Sequence, residues 1–519
     1  MSEPVAAVPP SGRAASPASR RAGAVVRDAF TNIVAQAVMI AALVVATPLL
    51  VRVLGPERYG AFNVITVIMA YLANLDLGLA RASTKYIPEA MARGAEAEAR
   101  TVAGMVFAMV AVLATAGSLA LAAGAPLLLD AFRMSPTLRP EAAGALRVAS
   151  VAVAGTVMTM PLIGALAGHQ RFTLMNSVRV PATVLTALLP LAGVAMGLGL
   201  GGILWLLAAK AWVSFVAALV LCWRYVPQTR PGFHWDGALA RQLLGFGAWT
   251  LFLQAGPMLT GSADRLIVGA AVGLTAVTYY GVPQQVTNAI KGVLDGVRAV
   301  LFTRFSQLNA SDPDHLETLH RRSVECVALG LGLVCFLVAG GAEELIALWM
   351  GPGFETSATI LKIFTLGAFF FSLNLVTGEL LQAAGHIRAV VSVTVFVAAL
   401  QAVLILAFLP WGLPGAALAA PASQAAGTIL LALLAHRRGL IHLRRFVPAR
   451  TVACCGALAA AGFAVAGLKP VLRPEPHVLL PLLTIVGLAF GSMAALLGLE
   501  RDTRAALTAS LAPLWPGRR

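Results

Sequence analysis

Long apolar runs recur along the whole chain, and they constrain its fold more than any other feature of the sequence. Apolar residues make up 59% of the 519 positions, charged residues 12%, and the mean hydropathy is +0.83. Soluble domains average roughly 45–50% apolar and about 25% charged residues. The runs have the length of roughly 20 residues that crosses a bilayer as a helix. The sequence therefore predicts an all-α polytopic membrane protein of about 14 transmembrane helices, with no room for a soluble catalytic domain. We place the spans near 30–53, 61–79, 101–124, 146–167, 173–199, 201–223, 244–272, 274–303, 324–348, 357–384, 389–410, 412–435, 451–468 and 477–498.

The basic residues fall between these runs, and their placement sets the orientation. The net charge of +15 comes from 38 lysines and arginines against 23 acidic residues. With the N-terminus inside, 25 of the 38 lie in cytoplasmic segments, 7 in external ones and six within the membrane. This bias follows the positive-inside rule, so we expect cytoplasmic termini, with residues 1–28 and 499–519 as tails. We expect no nucleic-acid partner, and the five cysteines lack metal-ligand or disulfide spacing, so we expect no metal and no cofactor.

One segment of the chain occurs twice. Residues 59–66 (YGAFNVIT) match 280–287 (YGVPQQVT) at an offset of 221, and 167–171 (AGHQR) match 384–388 (AGHIR) at an offset of 217. Because this distance covers six helices, both copies keep one orientation, which is the parallel repeat found in transporters. We predict two pseudo-symmetric six-helix lobes, 29–225 and 226–438, around a central cavity, with two additional helices within 439–498.

Several motifs carry a family resemblance. The stretches 48–60 (PLLVRVLGPERYG), 75–79 (LDLGL), 263–269 (ADRLIVG) and 279–281 (YYG) resemble the polysaccharide-transporter family of the multidrug/oligosaccharidyl-lipid/polysaccharide exporter superfamily. The resemblance implies a V-shaped, two-lobed flippase of the bacterial cytoplasmic membrane. It would move a polyprenyl-diphosphate-linked oligosaccharide to the outer leaflet for surface-polysaccharide assembly, beside a polysaccharide polymerase and glycosyltransferases. The family has no covalent chemistry, and this sequence has no GxxxxGK[ST] nucleotide-binding motif.

Cations within the predicted spans are the candidate substrate ligands. Each costs at least about 2.5–3.5 kcal/mol at a helix centre, so it should face a cavity or a partner. Because a diphosphate concentrates negative charge, we hypothesise that Lys291 and Arg298, on one face of the eighth span, bind it. Arg179 and Lys210 would contribute from the other lobe, and Arg265 is a further candidate. The alternative is that Lys291 only neutralises Asp295, four residues later on the same face. The six embedded cations are Arg179, Lys210, Arg265, Lys291, Arg298 and Lys362.

Embedded acids are candidates for ion pairing or for coupling to a cation or proton. Asp264 and Arg265 point about 100° apart on a helix, so we expect that they cannot share one partner. Asp76 lies beside basic residues at a predicted cytoplasmic helix end, where interfacial pairing is expected. Glu379 is the better candidate for coupling. Amides within the predicted spans would suit a hydroxyl-rich sugar, but they can equally join helices by hydrogen bonds. The amides in question include Asn63, Asn74, Gln284, Gln285, Asn288 and Asn374.

Two other transport functions stay open, and an enzyme is the alternative from a different class. A cation-coupled multidrug exporter of the same superfamily would favour acids in its cavity, whereas six cations face four acids here. A lipid-linked peptidoglycan-precursor flippase would share the fourteen spans and a cationic cavity. A membrane glycosyltransferase or polysaccharide polymerase would need a large external or acid-bearing loop. The longest predicted external loop, 125–145, carries only Asp130 and Glu141 as acids, so we expect no enzyme.

Overall fold

The protein is a bundle of long α-helices. The computed structural model describes residues 42, 44–226, 236–311, 313–443, 446 and 449–472. Seven helical stretches of this part are long and apolar enough to cross a membrane, which makes the chain a polytopic membrane protein. Its helices are α1 (Val44–Leu54), α2 (Pro56–Leu72), α3 (Leu79–Ala92), α4 (Glu96–Ala131), α5 (Arg139–Gly168), α6 (Phe172–Ala195), α7 (Leu200–Tyr225), α8 (Gly237–Ala271), α9 (Leu274–Ser311), α10 (Pro313–Met350), α11 (Glu355–Ala383), α12 (Ile387–Phe408), α13 (Gly412–Arg437) and α14 (Ala449–Leu472).

Hydropathy located these helices well. Every predicted span from 30–53 to 451–468 overlaps a described helix. The last predicted span, 477–498, and both predicted tails, 1–28 and 499–519, lie outside the described residues. Residues 80–92, which lie between two predicted spans, are also helical and belong to α3.

A sharp turn separates α2 from α3. A short 3-10 helix, Ala73–Asp76, leads into Leu77 and Gly78, which have φ values of 50° and 73°. The left-handed region strains most L-residues but not glycine, so Gly78 suits this position. The carboxylate of Asp76 then accepts hydrogen bonds from the backbone N–H groups of Gly78 and Ala80, both at 3.2 Å, and so caps α3. Asp76, predicted as an ion-pairing group, thus serves as a helix cap.

Small residues let the helices of the first half pack closely. The helix α5 packs against α4, α7 and α3, and α6 packs against α7. A Cβ atom at Gly164 would lie 2.4 Å from the backbone oxygen of Ala80, and one at Gly168 would lie 2.8 Å from that of Ser83. Close backbone approach of this kind is typical of membrane helix pairs, which gain van der Waals contact from it.

The second half packs around α11. This helix contacts α9, α10 and α13, while α12 packs against α13 and α8, and α14 lies along α10. The two halves meet where α2 contacts α9 and where α3 contacts α8. At the first of these contacts, a Cβ at Gly60 would lie 2.0 Å from the backbone oxygen of Leu274. At the second, Phe246 packs edge-on against Tyr86, and the Nζ of Lys85 lies over both rings.

Candidate functional site

A cavity of about 750 Å³ lies between the two halves of the chain. Helices α1, α2, α6 and α7 form its wall on one side, and α8, α9 and α10 form it on the other. The wall is mostly apolar, with hydrogen-bonding groups distributed around it. These groups belong to Thr47, Tyr59, Asn63, Thr66, Thr186, Arg265, Gln285, Asn288 and Trp349.

The contact between α2 and α9 fixes several of these groups. Gln285 donates from Nε2 to the hydroxyl of Tyr59 at 2.8 Å, and its Oε1 accepts from the hydroxyl of Thr47 at 2.6 Å. The indole of Trp349 donates to the backbone oxygen of Val44 at 2.6 Å, which ties α10 to α1. The polar wall is therefore held by hydrogen bonds between the two halves before any ligand enters.

Arg265 is the one charged side chain among the described residues of the cavity wall. Its Nε donates to the Oε1 of Gln284, and the Nε2 of the same amide donates to Asp264 at 2.7 Å. The prediction that Asp264 and Arg265 cannot share a partner was wrong. The Oε1 of Gln284 accepts from Arg265 while its Nε2 donates to Asp264, so one amide serves both side chains.

Lys210 lies just behind the cavity wall. Its Nζ donates to the hydroxyl of Thr186 at 3.0 Å, and Thr186 itself lines the cavity. Arg179, the other predicted cation of the first half, is exposed on α6 and is not among the wall residues.

Lys291 lies in the interior of the second half. It lines a small pocket of about 30 Å³ together with Asp264, Gln284 and Gln424. Its Nζ also lies 5.1 Å from the centre of the Phe371 ring, a distance at which a cation is attracted to the ring face. The structure thus places Lys291 beside the buried Asp264 and away from the wall of the large cavity.

The remaining predicted groups form pairs elsewhere. Arg298 donates from Nε to the buried carboxylate of Glu379 at 2.5 Å, so the coupling candidate already has a basic partner. Lys362 contacts Glu343 at 2.7 Å. The side chain of Asp295 lies outside the described part of the chain. Nowhere in that part do three or more His, Cys, Asp or Glu side chains come together as a metal site would require.

Sequence reasoning found some wall residues and missed others. Asn63, Gln285 and Asn288 were identified as candidate sugar ligands, and all three line the cavity. Thr47 and Trp349 were missed, since neither type is unusual in a membrane helix. The sequence repeat was the available signal for the position of the cavity wall, because residues 59–66 and 280–287 contribute to that wall from opposite sides.

The chain matches two families of known proteins. Residues 25–309 match the family described as polysaccharide biosynthesis protein, and residues 172–486 match the lipid II flippase MurJ family. A putative O-antigen transporter of Shigella flexneri is 21% identical over 371 residues, which cover 70% of this chain and 85% of that protein. The uncharacterized membrane protein EpsK of Bacillus subtilis is 23% identical over 327 residues, which cover 61% of this chain and 63% of that protein.

Solved structures share the fold. Lipid II flippase MurJ in an inward closed conformation superposes with a TM-score of 0.70 over 94% of this chain and 99% of its own, at 11% identity. An inward-facing multidrug resistance MATE family transporter of the MOP superfamily superposes with a TM-score of 0.66 at 16% identity. The match covers 77% of this chain and 95% of that transporter. This chain therefore shares the fold of these two transporters.

Proposed function

The chain belongs to the polysaccharide biosynthesis protein family of membrane transporters, and we propose that it flips a polyprenyl-diphosphate-linked oligosaccharide across the bacterial inner membrane. The substrate would enter from the cytoplasmic leaflet and leave in the outer one, with both termini of the protein in the cytoplasm. Two six-helix lobes, 29–225 and 226–438, would alternate in access, and the helices within 439–498 would be an addition to them.

The observation that carries this proposal is the position of Arg265 in a cavity that is otherwise uncharged in its described wall. A guanidinium binds phosphate oxygens in a fork of two hydrogen bonds and keeps its charge at any physiological pH. In a wall of low polarity, this charge would offset much of the cost of taking a diphosphate out of water. Lys210, one hydrogen bond behind the wall, would add a second positive charge.

The rest of the wall suits a sugar attached to a lipid. Asn63, Gln285 and Asn288 offer both donors and acceptors to hydroxyl groups. The volume of about 750 Å³ lies within the range of roughly 300–1,000 Å³ typical of small-ligand sites. We infer that the cavity holds the diphosphate and the first sugars, while the polyprenyl chain stays in the bilayer.

A deletion strain tests the proposal. Loss of the surface polymer, with accumulation of the lipid-linked oligosaccharide in the cytoplasmic leaflet, is expected, together with rescue by the wild-type gene. Arg265→Ala should fail to rescue at equal expression, and Arg265→Lys should rescue in part. Arg224→Ala is the matched control, because it removes an exposed arginine at the end of α7, outside the cavity wall. Normal polymer and no accumulation in the deletion strain would refute the proposal.

The match of residues 172–486 to the MurJ family supports a second candidate, a flippase for lipid-linked peptidoglycan precursor. Expression of this chain in cells depleted of their own lipid II flippase separates the two. Restored growth would favour the second candidate. New drug sensitivity of the deletion strain, with intact polymer and intact cell wall, would instead indicate a multidrug exporter.

A further inference from the structure

Gln284 connects the large cavity to the small pocket of the second half. It lies on α9, is 6% exposed, and lines the small pocket but not the large one. One end of its amide contacts Arg265 at the cavity wall, and the other contacts Asp264, which is 3% exposed. The Gln284 amide therefore contacts both charged residues at once.

The chemistry of the two neighbours fixes the direction of the amide. An ionised carboxylate only accepts hydrogen bonds, so the NH₂ end of Gln284 must point to Asp264. A guanidinium only donates, so the carbonyl end must point to Arg265. Gln284 accepts from the Nε of Arg265, and among the hydrogen bonds of the described residues none involves the two terminal NH₂ groups of the guanidinium, which can therefore bind a ligand.

The amide also holds two opposite charges apart. Asp264 and Arg265 are adjacent in sequence, and without Gln284 the guanidinium would be free to bind the carboxylate directly. A direct, buried ion pair would satisfy the guanidinium and lower its affinity for an anion from the cavity. Lys291, which lines the small pocket together with Asp264, supplies the carboxylate with a separate positive neighbour.

We propose that Gln284 is a positioning residue that keeps Arg265 directed into the cavity and prevents its capture by Asp264. This inference rests on the proposed function, because it takes Arg265 as the group that binds the diphosphate. Gln284 itself need not touch the substrate. Its loss should weaken the binding of a lipid diphosphate, and removal of the Asp264 charge should reverse that loss.

The test measures the binding of farnesyl diphosphate, a short lipid diphosphate, to the purified full-length protein in detergent. Gln284→Met keeps the side-chain length but removes the amide that separates Arg265 from Asp264. We expect the Kd of this variant for farnesyl diphosphate to rise about tenfold or more. Adding Asp264→Asn to Gln284→Met should return the Kd to within about threefold of wild type. Gln284→Glu places a carboxylate directly on Arg265, so it should also weaken binding, and Asp264→Asn should not rescue it.

Gln424→Met is the matched control. It removes another amide from the small pocket, and Gln424 has no contact with Arg265 among its described hydrogen bonds. Its Kd should stay within about threefold of wild type. Thermal unfolding of each variant separates loss of binding from loss of fold. A purely structural role for Gln284 would make the double variant no better than Gln284→Met.

The outcomes distinguish this inference from the function on which it rests. If the wild type binds farnesyl diphosphate and Gln284→Met binds it equally well, the positioning role is refuted and the flippase proposal stands. If the wild type does not bind the probe and the deletion strain makes normal polymer, both are refuted. If the double variant Gln284→Met with Asp264→Asn regains its affinity for farnesyl diphosphate, the positioning role of Gln284 is established.

Discussion

Replacing Gly60 by alanine should force α2 and α9 apart. A Cβ at Gly60 would lie 2.0 Å from the backbone oxygen of Leu274 and 2.6 Å from its carbonyl carbon, whereas ordinary contact begins at 3.4 Å. The two helices would have to separate by the difference, about 1.4 Å, because neither atom belongs to a side chain that can rotate. Overpacking of this kind costs about 1–3 kcal/mol. Loss of the hydrogen bond between Tyr59 and Gln285 would add about 0.5–1.5 kcal/mol.

The equivalent glycine of the second repeat copy provides a matched control. A Cβ at Gly281 would meet nothing within 4 Å, so Gly281→Ala should be neutral or should stabilise the helix by about 0.4–1 kcal/mol. Thermal unfolding of the two purified variants in detergent measures the difference. We expect a lower unfolding midpoint for Gly60→Ala and an unchanged or higher one for Gly281→Ala. Equal midpoints would refute the close contact between α2 and α9.

The remaining substitutions test two ion pairs and one hydrogen bond. Arg298→Met should leave the buried carboxylate of Glu379 without its basic partner. The free energy of unfolding should fall by an amount at the lower end of about 3–5 kcal/mol, because the arginine is half-exposed. Adding Glu379→Gln should recover most of that loss in thermal unfolding. Trp349→Phe should cost about 0.5–1.5 kcal/mol, because it removes the indole hydrogen bond to α1. Arg58→Ala breaks an exposed ion pair with Glu141 and should change stability by less than about 1 kcal/mol. An effect of Arg298→Met no larger than that of Arg58→Ala would contradict the argument from burial.

The helices could be predicted because each span carries its own signal. A run of about 20 apolar residues is a property of the segment alone and does not depend on its neighbours. The break between α2 and α3 could not be found in this way. It depends on the left-handed conformations of Leu77 and Gly78, and a leucine followed by a glycine leaves the local hydropathy almost unchanged.

The site was only partly predictable, because the rotation of each helix about its axis decides which residues face the cavity. On α9, Gln285 faces the cavity and the adjacent Gln284 faces the small pocket, since successive residues point about 100° apart. Polar residues occur on both faces of this helix, so no apolar stripe indicates its rotation. Arg265, Lys291 and Arg298 were equally plausible candidates by charge, but of the three only Arg265 lies at the described cavity wall.

The two copies of the repeated segment have come to occupy unlike surroundings. Tyr59 reaches Gln285 across the cavity wall, whereas Tyr280 is fully buried edge-on against Phe364. Identical copies would enclose a chamber whose two sides were interchangeable, as at the interface of a symmetric dimer. Here one side offers a tyrosine hydroxyl, and the other offers the guanidinium of Arg265. A lipid-linked sugar is itself directional, with an anionic junction at one end and hydroxyls at the other. Under the proposed function, the divergence of the two repeated segments would allow such a molecule only one orientation in the cavity.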